Sequence, residues 1–278
     1  MTTRTFIAAA ALLPAALAFS APASAQETRS WTGPYGGVRV GIATNKGGDD
    51  ETILFDTNLD GNFNDTVTTG TGANAFAPGF CGGRARGASA ATGCRSDEEG
   101  YDVAAHLGYD VQLGGSFVVG IVGEYGRSDI SDSVAAFSTT PAQYTMTRRL
   151  RDNGSLRLRA GVALGDTLIY GTGGVAYGKI RNSFTTSNTA NTFTNTGNED
   201  AWGYRVGGGV EERIARNLSL GLQYAYTSLE TDEFRVRAGA PAPAGNPFIR
   251  TNPMGTDFAR SDDKFDTHSL SLTMSLRF

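Results

Sequence analysis

Two histidines are among the few side chains of this sequence that suggest catalysis. His106 lies in the middle of an alternating segment, and His268 precedes Ser269 near the C-terminus. A hydrolytic triad needs a nucleophile, a base and an orienting acid within mutual reach. No third partner stands at a suitable spacing from His268 and Ser269, and we expect His106 to pair structurally. The sequence therefore predicts no catalytic residues, with an esterase at His268 as the minor alternative.

A possible metal-binding pattern begins at Asp56. Side-chain oxygens at positions one, three and five, with Gly61 at six, resemble the opening of a calcium loop. The twelfth position is Val67, where such a loop needs a bidentate Glu, so Asp65 would have to substitute. The alternative is a β-turn without metal, because Asp, Asn and Gly favour turns. The candidate Ca²⁺ ligands are Asp56, Asn58, Asp60, Asn62 and Asp65. No other cofactor is predicted.

The first 25 residues have the pattern of a secretory signal peptide. Arg4 precedes an apolar run over 6–19, and the small residues of 23–25 form a cleavage site. An uncleaved anchor is the alternative, but the run is short and contains Pro14. We expect a mature chain of residues 26–278.

The only two cysteines, Cys81 and Cys94, lie in one long connection. An exported chain matures in an oxidising compartment, which predicts a disulfide between them. A metal pair is the alternative, but no histidine lies nearby.

Alternating hydrophobicity is the strongest structural signal. Every second residue from Leu270 to Phe278 is apolar, and a period of two indicates a β-strand with one apolar and one polar face. Similar segments cover residues 31–43, 101–112, 116–127, 148–164, 167–180, 200–213 and 217–230. The mean hydropathy of −0.24 is compatible with membrane strands, because averaging erases an alternation.

The connections between these segments alternate between short and long. Short turns lie at 112–115, 165–166 and 214–217. The long connections are 44–99, 128–147, 181–199 and 231–265. This sorting is typical of an all-β, antiparallel up-and-down transmembrane barrel with its long loops on the extracellular side. We predict eight strands, or ten if the apolar patches in the first loop form a further hairpin.

Charged residues occupy the polar face of the predicted strands. The inward set is Arg39, Asp102, His106, Asp110, Glu124, Arg157, Arg159, Arg205, Glu211 and Arg277. The lumen of an eight-stranded barrel is just wide enough for its own side chains. Because an unpaired buried charge costs several kcal/mol, these groups should pair. The pattern favours a salt-bridged plug, with a narrow gated water path as the alternative.

Two further features concern the surface. Aromatic residues near the strand ends predict membrane girdles. They include Tyr35, Tyr101, Tyr109, Phe117, Tyr125, Tyr177, Trp202, Tyr204, Tyr224, Tyr226 and Phe278. The low-complexity stretch at 238–245 predicts a mobile loop.

The opening at 31–37, the glycine-rich strand at 170–178 and the terminal Phe278 carry a family resemblance. The chain resembles small Gram-negative outer-membrane β-barrels, including the outer-membrane protein A transmembrane domain and opacity-type surface antigens. The resemblance implies location in the cell outer membrane. The chain departs from full-length outer-membrane protein A in that we expect no peptidoglycan-binding domain. It also implies that Phe278 is an assembly signal for the barrel-assembly machinery, and that lipids and lipopolysaccharide surround the barrel.

The expected function is a structural or surface-interaction role, with the loops displayed outside as a surface antigen. A small-solute porin is the main alternative, and a lipid A-modifying enzyme is a less favoured one. The formal charge of −4 and the export signal argue against a nucleic-acid partner. The sequence does not identify an extracellular partner.

Overall fold

The computed structural model describes residues 30–45, 51–97, 99–232 and 234–278, so the expected signal peptide, residues 1–25, lies outside the described residues. The strands are β1 (Gly33–Asn45), β2 (Ile53–Asp56), β3 (Gly79–Gly82), β4 (Arg84–Ala85), β5 (Cys94–Arg95), β6 (Gly100–Leu113), β7 (Phe117–Phe137), β8 (Gln143–Leu164), β9 (Thr167–Thr186), β10 (Thr192–Asn195), β11 (Glu199–Arg213), β12 (Leu218–Glu230), β13 (Val236–Gly239), β14 (Thr256–Arg260) and β15 (Lys264–Arg277). Two 3₁₀ turns cover Ala90–Thr92 and Pro247–Ile249. No helix in the described ranges is long and apolar enough to cross a membrane.

Eight long strands close into a barrel. In order around the ring they are β1, β6, β7, β8, β9, β11, β12 and β15, and every pairing is antiparallel. The ring closes because β1 pairs with β15, for example at Val38 and Met274. Closure removes the unpaired edges of an open sheet. The predicted eight-stranded barrel is confirmed, and β2 from the first loop joins a different sheet.

The barrel is apolar outside and polar inside. On β6, Val103 and Leu107 are 38 % and 74 % exposed, whereas Asp102 and His106 are only 3 % and 7 % exposed. The same alternation runs along the other barrel strands, whose exposed residues are mostly aliphatic or aromatic. An outward apolar band is what lipid contact requires.

Strands β7 and β8 continue far beyond this band. The predicted loop at 128–147 is wrong, because β7 runs to Phe137 and β8 begins at Gln143. The pairing is irregular between Arg127 and Ile130, and regular pairing resumes beyond it. Past this point the buried side chains become apolar, as at Val134 and Met146, so the extension has a core of its own to pack against.

A second sheet covers the extension and is built from three of the long connections. Its strand order is β10, β13, β14, β2. We call this unit the cap. It comprises residues 53–76, 134–146, 184–195 and 234–259. Its buried core includes Phe55, Phe76, Tyr144, Phe234, Phe248 and Phe258. The start of the stretch predicted to be mobile is ordered here, because Ala238 is fully buried in β13.

Candidate functional site

The lumen is filled in layers, beginning at the end where the short turns lie. Trp31 is 1 % exposed in this mouth, and its Nε1 donates a hydrogen bond to the Gly165 carbonyl oxygen at 3.1 Å. The guanidinium groups of Arg213 and Arg277 lie 4.3 Å and 4.4 Å from its ring centroid. The sequence pattern placed Trp31 in the first strand and gave no sign that it closes the mouth, since it precedes the regular alternation.

The next layer is an ionic cluster of four side chains, which we call the lower cluster. Arg277 Nη2 lies 3.0 Å from both Asp110 Oδ2 and Glu211 Oε1. Arg159 Nη1 lies 3.3 Å from Asp110 Oδ2, and its Nη2 pairs with Glu211. Two cations and two anions therefore balance, and the Arg159 guanidinium also lies 3.9 Å from the Tyr170 ring centroid.

A second cluster, the upper cluster, is centred on Glu124. Its carboxylate forms ion pairs with Arg39 at 2.9 Å, Arg157 at 3.1 Å and Arg205 at 3.1 Å. Asp102 adds a second carboxylate, with its Oδ2 2.5 Å from Arg39 Nη1. Three arginines thus share two carboxylates, and all five side chains are nearly inaccessible. The structure brings together nine of the ten predicted inward residues in these two clusters.

The tenth, His106, lies beside both clusters. Its Nε2 is 2.9 Å from Ser275 Oγ, and Glu124 is its cross-strand partner. Its ring centroid is 6.1 Å from that of Tyr35. Tyr35 is only 3 % exposed, so the prediction that it belongs to a membrane girdle is wrong. Tyr35 lies four residues before Arg39 on the same strand, and residues an even number of positions apart share a face. The alternation therefore indicates that Tyr35 points inward with Arg39.

Little free volume remains between these side chains. A cavity of about 20 Å³ lies between the two clusters and touches His106, Glu124 and Glu211. Another, of about 10 Å³, lies above the upper cluster beside Asp102 and Arg205. One water molecule needs roughly 10–15 Å³ of such space, so each cavity holds about one water.

An apolar layer closes the barrel below the cap. Its members are Ala43, Ile130, Leu150, Ala176, Ile180, Ala201, Leu229 and Phe265. Phe265 and Ile180 are fully buried inside the ring. In the described part of the chain, buried side chains therefore follow one another along the lumen from Trp31 to Phe265.

A third ionic cluster joins the cap to the barrel, and it lies beyond the lipid-facing part of the strands. Arg260 Nη2 lies 2.7 Å from Asp132 Oδ2 and 2.5 Å from Glu51 Oε2, and Arg148 Nη2 lies 2.7 Å from Asp132 Oδ2. Burial alone would raise the pKa of Asp132, but Arg260 and Arg148 hold it below its usual value. Burial raises the pKa of Glu51, and Arg260 offsets this only in part. We call this group the latch.

The outermost feature of the cap is a groove of about 470 Å³. Tyr144 and Phe248 form part of its wall, and side-chain amides and hydroxyls, including Asn188 and Asn246, provide polar groups. No charged side chain is among the described residues that line it, although 19 % of the chain is charged. The sequence did not reveal this groove, because its residues come from four separate segments.

The candidate calcium ligands lie in a turn that follows β2. Asp56 Oδ1 accepts backbone N–H groups from Leu59 at 2.6 Å and Asp60 at 3.2 Å, and its Oδ2 accepts that of Gly61 at 2.9 Å. Asp65 Oδ2 accepts Thr57 N and Oγ1, both at 2.8 Å. Within the described residues no group of three or more His, Cys, Asp or Glu is arranged to hold a metal ion. The carboxylates thus act as turn acceptors, and calcium binding, with Asn58 and Asn62 as further ligands, stays a hypothesis.

The predicted disulfide between Cys81 and Cys94 is confirmed. It links β3 to β5 within the first long connection. Because β3 pairs with the extension of β7, the bridge fastens this connection beside the barrel.

His268 lies on the lipid-facing side of the rim. Its Nδ1 is 2.7 Å from Tyr224 Oη, and the Tyr226 ring centroid is 5.1 Å from its own. Ser269 is 6 % exposed and its Oγ donates to the Ala225 carbonyl oxygen inside the barrel. Neighbouring residues on a strand point to opposite faces, so Ser269 and His268 do not form a nucleophile and base pair.

A closed ring of antiparallel strands with an apolar exterior and an ion-paired interior defines a transmembrane β-barrel of the outer-membrane class. Comparison with known proteins gives the family: the outer membrane protein beta-barrel domain model matches residues 11–278. The chain belongs to this family and is an outer-membrane protein.

The named relatives are outer-membrane proteins as well. The chain is 28 % identical over 212 residues to the 31 kDa outer-membrane immunogenic protein of Brucella melitensis, covering 76 % of each chain. It is 34 % identical over 88 residues to a 22 kDa outer membrane protein of Rhizobium leguminosarum bv. viciae, covering 32 % of this chain and 38 % of the relative. Among solved structures it is similar to OprG from Pseudomonas aeruginosa, with a TM-score of 0.45 and 12 % identity, covering 89 % of this chain and 97 % of that chain.

Proposed function

We propose that this protein is a sealed outer-membrane barrel that supports a packed cap on the cell surface, where the cap is the contact surface for other molecules. The observation that carries the proposal is the continuous filling of the lumen. Trp31, two ionic clusters and the apolar layer around Phe265 follow one another along its axis.

The porin alternative is less well supported. Conduction of solutes needs a continuous water path, and the lumen offers only cavities of about 20 Å³ and 10 Å³. Opening a path would separate Glu124 from three arginines in a region sheltered from water. An unpaired buried charge costs several kcal/mol, which opposes spontaneous opening.

The cap is suited to contact because it is built as a packed unit. Phe258 lies within 5.0–6.5 Å, centroid to centroid, of six other aromatic rings. A preorganised surface loses little conformational entropy when a partner binds. The relatives from Brucella are named immunogenic proteins, which supports display of this cap to the outside. The neutral groove at its tip is of a size that holds small ligands, typically ~300–1,000 Å³.

A non-enzymatic role is part of this proposal, because of the surroundings of the two histidines. His268 contacts Tyr224, and His106 contacts Ser275 beside an ion-paired glutamate. Ser269 lies on the opposite face of the strand from His268. Ser275, His106 and Glu124 share the lumen, but Glu124 there pairs with three arginines and does not orient the histidine for acyl transfer. The function as lipid A-modifying enzyme is therefore not favoured.

Conductance in a planar bilayer tests the sealed lumen. We expect refolded protein of residues 26–278 to give no discrete steps, with folding checked by heat-modifiable gel migration. A conducting porin recorded in the same bilayer is the positive control, because a conducting variant of this chain would have to lose Trp31, both ionic clusters and the apolar layer around Phe265 together. Steady, reproducible steps from the wild-type protein would overturn the proposal.

Display of the cap is tested on intact cells. Antibodies raised against residues 234–260 should bind cells that express the protein, and protease added outside should cut only the cap-side connections. Binding that appears only after the cells are permeabilised would place the cap on the periplasmic side and contradict the proposed orientation.

A further inference from the structure

The groove at the tip of the cap is bounded mainly by turns and loops. Its walls come from the turn between β7 and β8, the connection from β9 to β10, and the segments 69–75 and 245–248. Among the described residues that line it, Tyr144 alone belongs to a strand. An extended peptide often binds by adding to an open strand edge, and the described walls offer no such edge. The groove therefore suits a compact ligand better than a peptide strand.

The lack of charged side chains in the described lining restricts the ligands that the groove can hold. An ion that entered this space of about 470 Å³ would lose part of its hydration without meeting an opposite charge. Burial of an unpaired charge is strongly unfavourable. The groove should therefore select uncharged ligands.

Hydroxyl groups are the commonest polar groups of the lining. They belong to Thr69, Ser138, Thr139, Thr140, Ser187 and Thr189, besides Tyr144. The exposed side chains of Thr139, Thr140 and Thr189 make no hydrogen bond to another described residue. A wholly apolar ligand would cover these hydroxyls without replacing their water, which is unfavourable. A ligand with hydroxyls of its own would satisfy them, because a hydroxyl both donates and accepts.

A network of asparagine side chains fixes two walls of the groove relative to each other. Asn188 Nδ2 donates to Tyr144 Oη at 3.0 Å and to Asn191 Oδ1 at 3.1 Å. Asn246 Nδ2 donates to the same Asn191 oxygen at 2.9 Å. Asn191 thus connects the wall that contains Asn188 to the wall that contains Asn246. Amides that are held in place before a ligand arrives lose little conformational entropy when it binds.

Apolar surfaces lie beside these polar groups. They are provided by Ala75, Pro141, Ala142, Pro247 and Phe248. The rings of Phe248 and Tyr144 pack edge to face, with their centroids 5.6 Å apart. A sugar ring presents C–H groups on its faces and hydroxyls around its edge, so it needs apolar and hydrogen-bonding surfaces side by side. The groove supplies both kinds of surface without charge.

We propose that the groove binds an uncharged oligosaccharide. The hydroxyls of Thr139, Thr140 and Thr189, together with the amides of Asn188 and Asn246, are the groups that hydrogen-bond the sugar. The inference rests on the proposed function, in which the cap is the contact surface, and adds the chemical class of the ligand. Uncharged sugars occur both in the glycans of other cells and in bacterial envelope polysaccharides, and the two sources share this chemistry.

Ligand-observed saturation-transfer NMR on refolded residues 26–278 tests the site. The protein is kept in a zwitterionic detergent, because maltoside and glucoside detergents carry neutral sugars themselves. The probes are neutral oligosaccharides of mammalian-type glycans and of bacterial O-polysaccharides, the same oligosaccharides with sulfate groups, and a short peptide of Ser, Thr and Asn. We expect neutral oligosaccharides from at least one source to bind, and their sulfated forms to bind more weakly.

Two variants assign this binding to the groove. Thr139→Val combined with Thr189→Val keeps the side-chain shape and should lower the affinity about two- to tenfold for each hydrogen bond lost. Ala190→Trp adds a large ring to an exposed position of the wall and should abolish binding. The matched control is Thr194→Val on β10, which is exposed and outside the groove and should bind as the wild type does. Protease resistance of the cap shows that each variant is folded.

Four results would overturn the inference: no neutral oligosaccharide binds, the sulfated forms bind as tightly, the peptide alone binds, or the double variant keeps the wild-type affinity. Binding confined to one source of sugar would support the inference and identify that source. Antibody binding to intact cells is measured separately. A cap that antibodies reach but no sugar binds would refute this inference alone. A cap that binds sugar when purified, but is reached only after permeabilisation, would refute the proposed display alone.

Discussion

The lumen and the cap are two cores with opposite chemistry in one chain. The lumen is held by buried charges such as Glu124, whereas the cap is held by buried aromatics such as Phe258. Strand β7 passes through both, with Glu124 facing inward in the barrel and Val134 buried in the extension. The same backbone geometry therefore supports either core.

The surroundings of each part decide which residues it buries. Lipid around the barrel requires apolar residues outside, which leaves the alternate positions to polar side chains. Water around the cap makes burial of apolar area favourable, by about 25 cal/mol per Å². A charge buried inside the barrel is destabilising unless it is paired, whereas each apolar contact in the cap is stabilising by itself. The two cores should thus respond differently to single substitutions.

The largest effect is expected at the centre of the upper cluster. Glu124→Ala leaves Arg39, Arg157 and Arg205 with only Asp102 as an anionic partner. Removing one partner of a buried ion pair costs about 3–5 kcal/mol, and a residue that serves three arginines should lie at the upper end. Urea unfolding of the refolded protein, followed by heat-modifiable migration, measures the loss.

The matched control for this substitution is Asp152→Ala. Asp152 pairs with Arg127 at 2.8 Å on the exposed rim, where the Arg127 side chain is 69 % exposed. Such an exposed pair contributes little to stability, because water screens it. If both variants unfolded at the same urea concentration, the ion pairs of the lumen would not be what stabilises the barrel.

A smaller and local effect is expected in the cap. Phe258→Ala removes a fully buried ring from the aromatic cluster, with a cost of about 3 kcal/mol, at the low end for such truncations. Because the barrel has its own closed ring of hydrogen bonds, this loss should appear as faster proteolysis of the cap with unchanged heat-modifiable migration. Phe117→Ala, at a lipid-facing position that is 64 % exposed, is the control and should leave the cap resistant. Loss of the folded barrel band in Phe258→Ala would show that the two cores unfold together.

The barrel and its lumen could be predicted because one rule governs both. A period of two assigns every residue of a long strand to a face, so the eight strands and the ten inward residues follow from the same pattern. Pairing partners such as Arg39 and Glu124 could not be assigned, because they are 85 positions apart and depend on the shear of the ring.

The cap could not be predicted for the opposite reason. Its strands β2, β10, β13 and β14 have only four or five residues each, too few for a periodic signal. They also pair across three separate connections. In the extension of β7 and β8 the buried positions change from polar to apolar. This break in the alternation is why the sequence predicts a loop there and not two longer strands. The composition of 238–245, rich in Pro, Ala and Gly, predicts a mobile segment, although Ala238 is buried with the aromatic cluster.

The smallest expected effect is a loss of stability at alkaline pH in the cap, which distinguishes the cap from the lumen. Burial raises the pKa of Tyr144 in the cap above its ordinary value of 10.0. The folded cap therefore favours the neutral phenol. This contribution to the stability of the cap is complete below the unfolded pKa and is lost as pH rises through the folded pKa, by at most about 1.4 kcal/mol per pH unit.

Protease resistance of the cap should decline above pH 10 in the wild type. Tyr144→Phe, which keeps the ring and loses the hydrogen bonds of the phenol with Asn188 (3.0 Å) and Ser138, should remove that decline. An equal decline in both proteins would mean that alkaline loosening starts elsewhere. The latch would then be the next group to test, since it joins the two cores through charges that neither core contains.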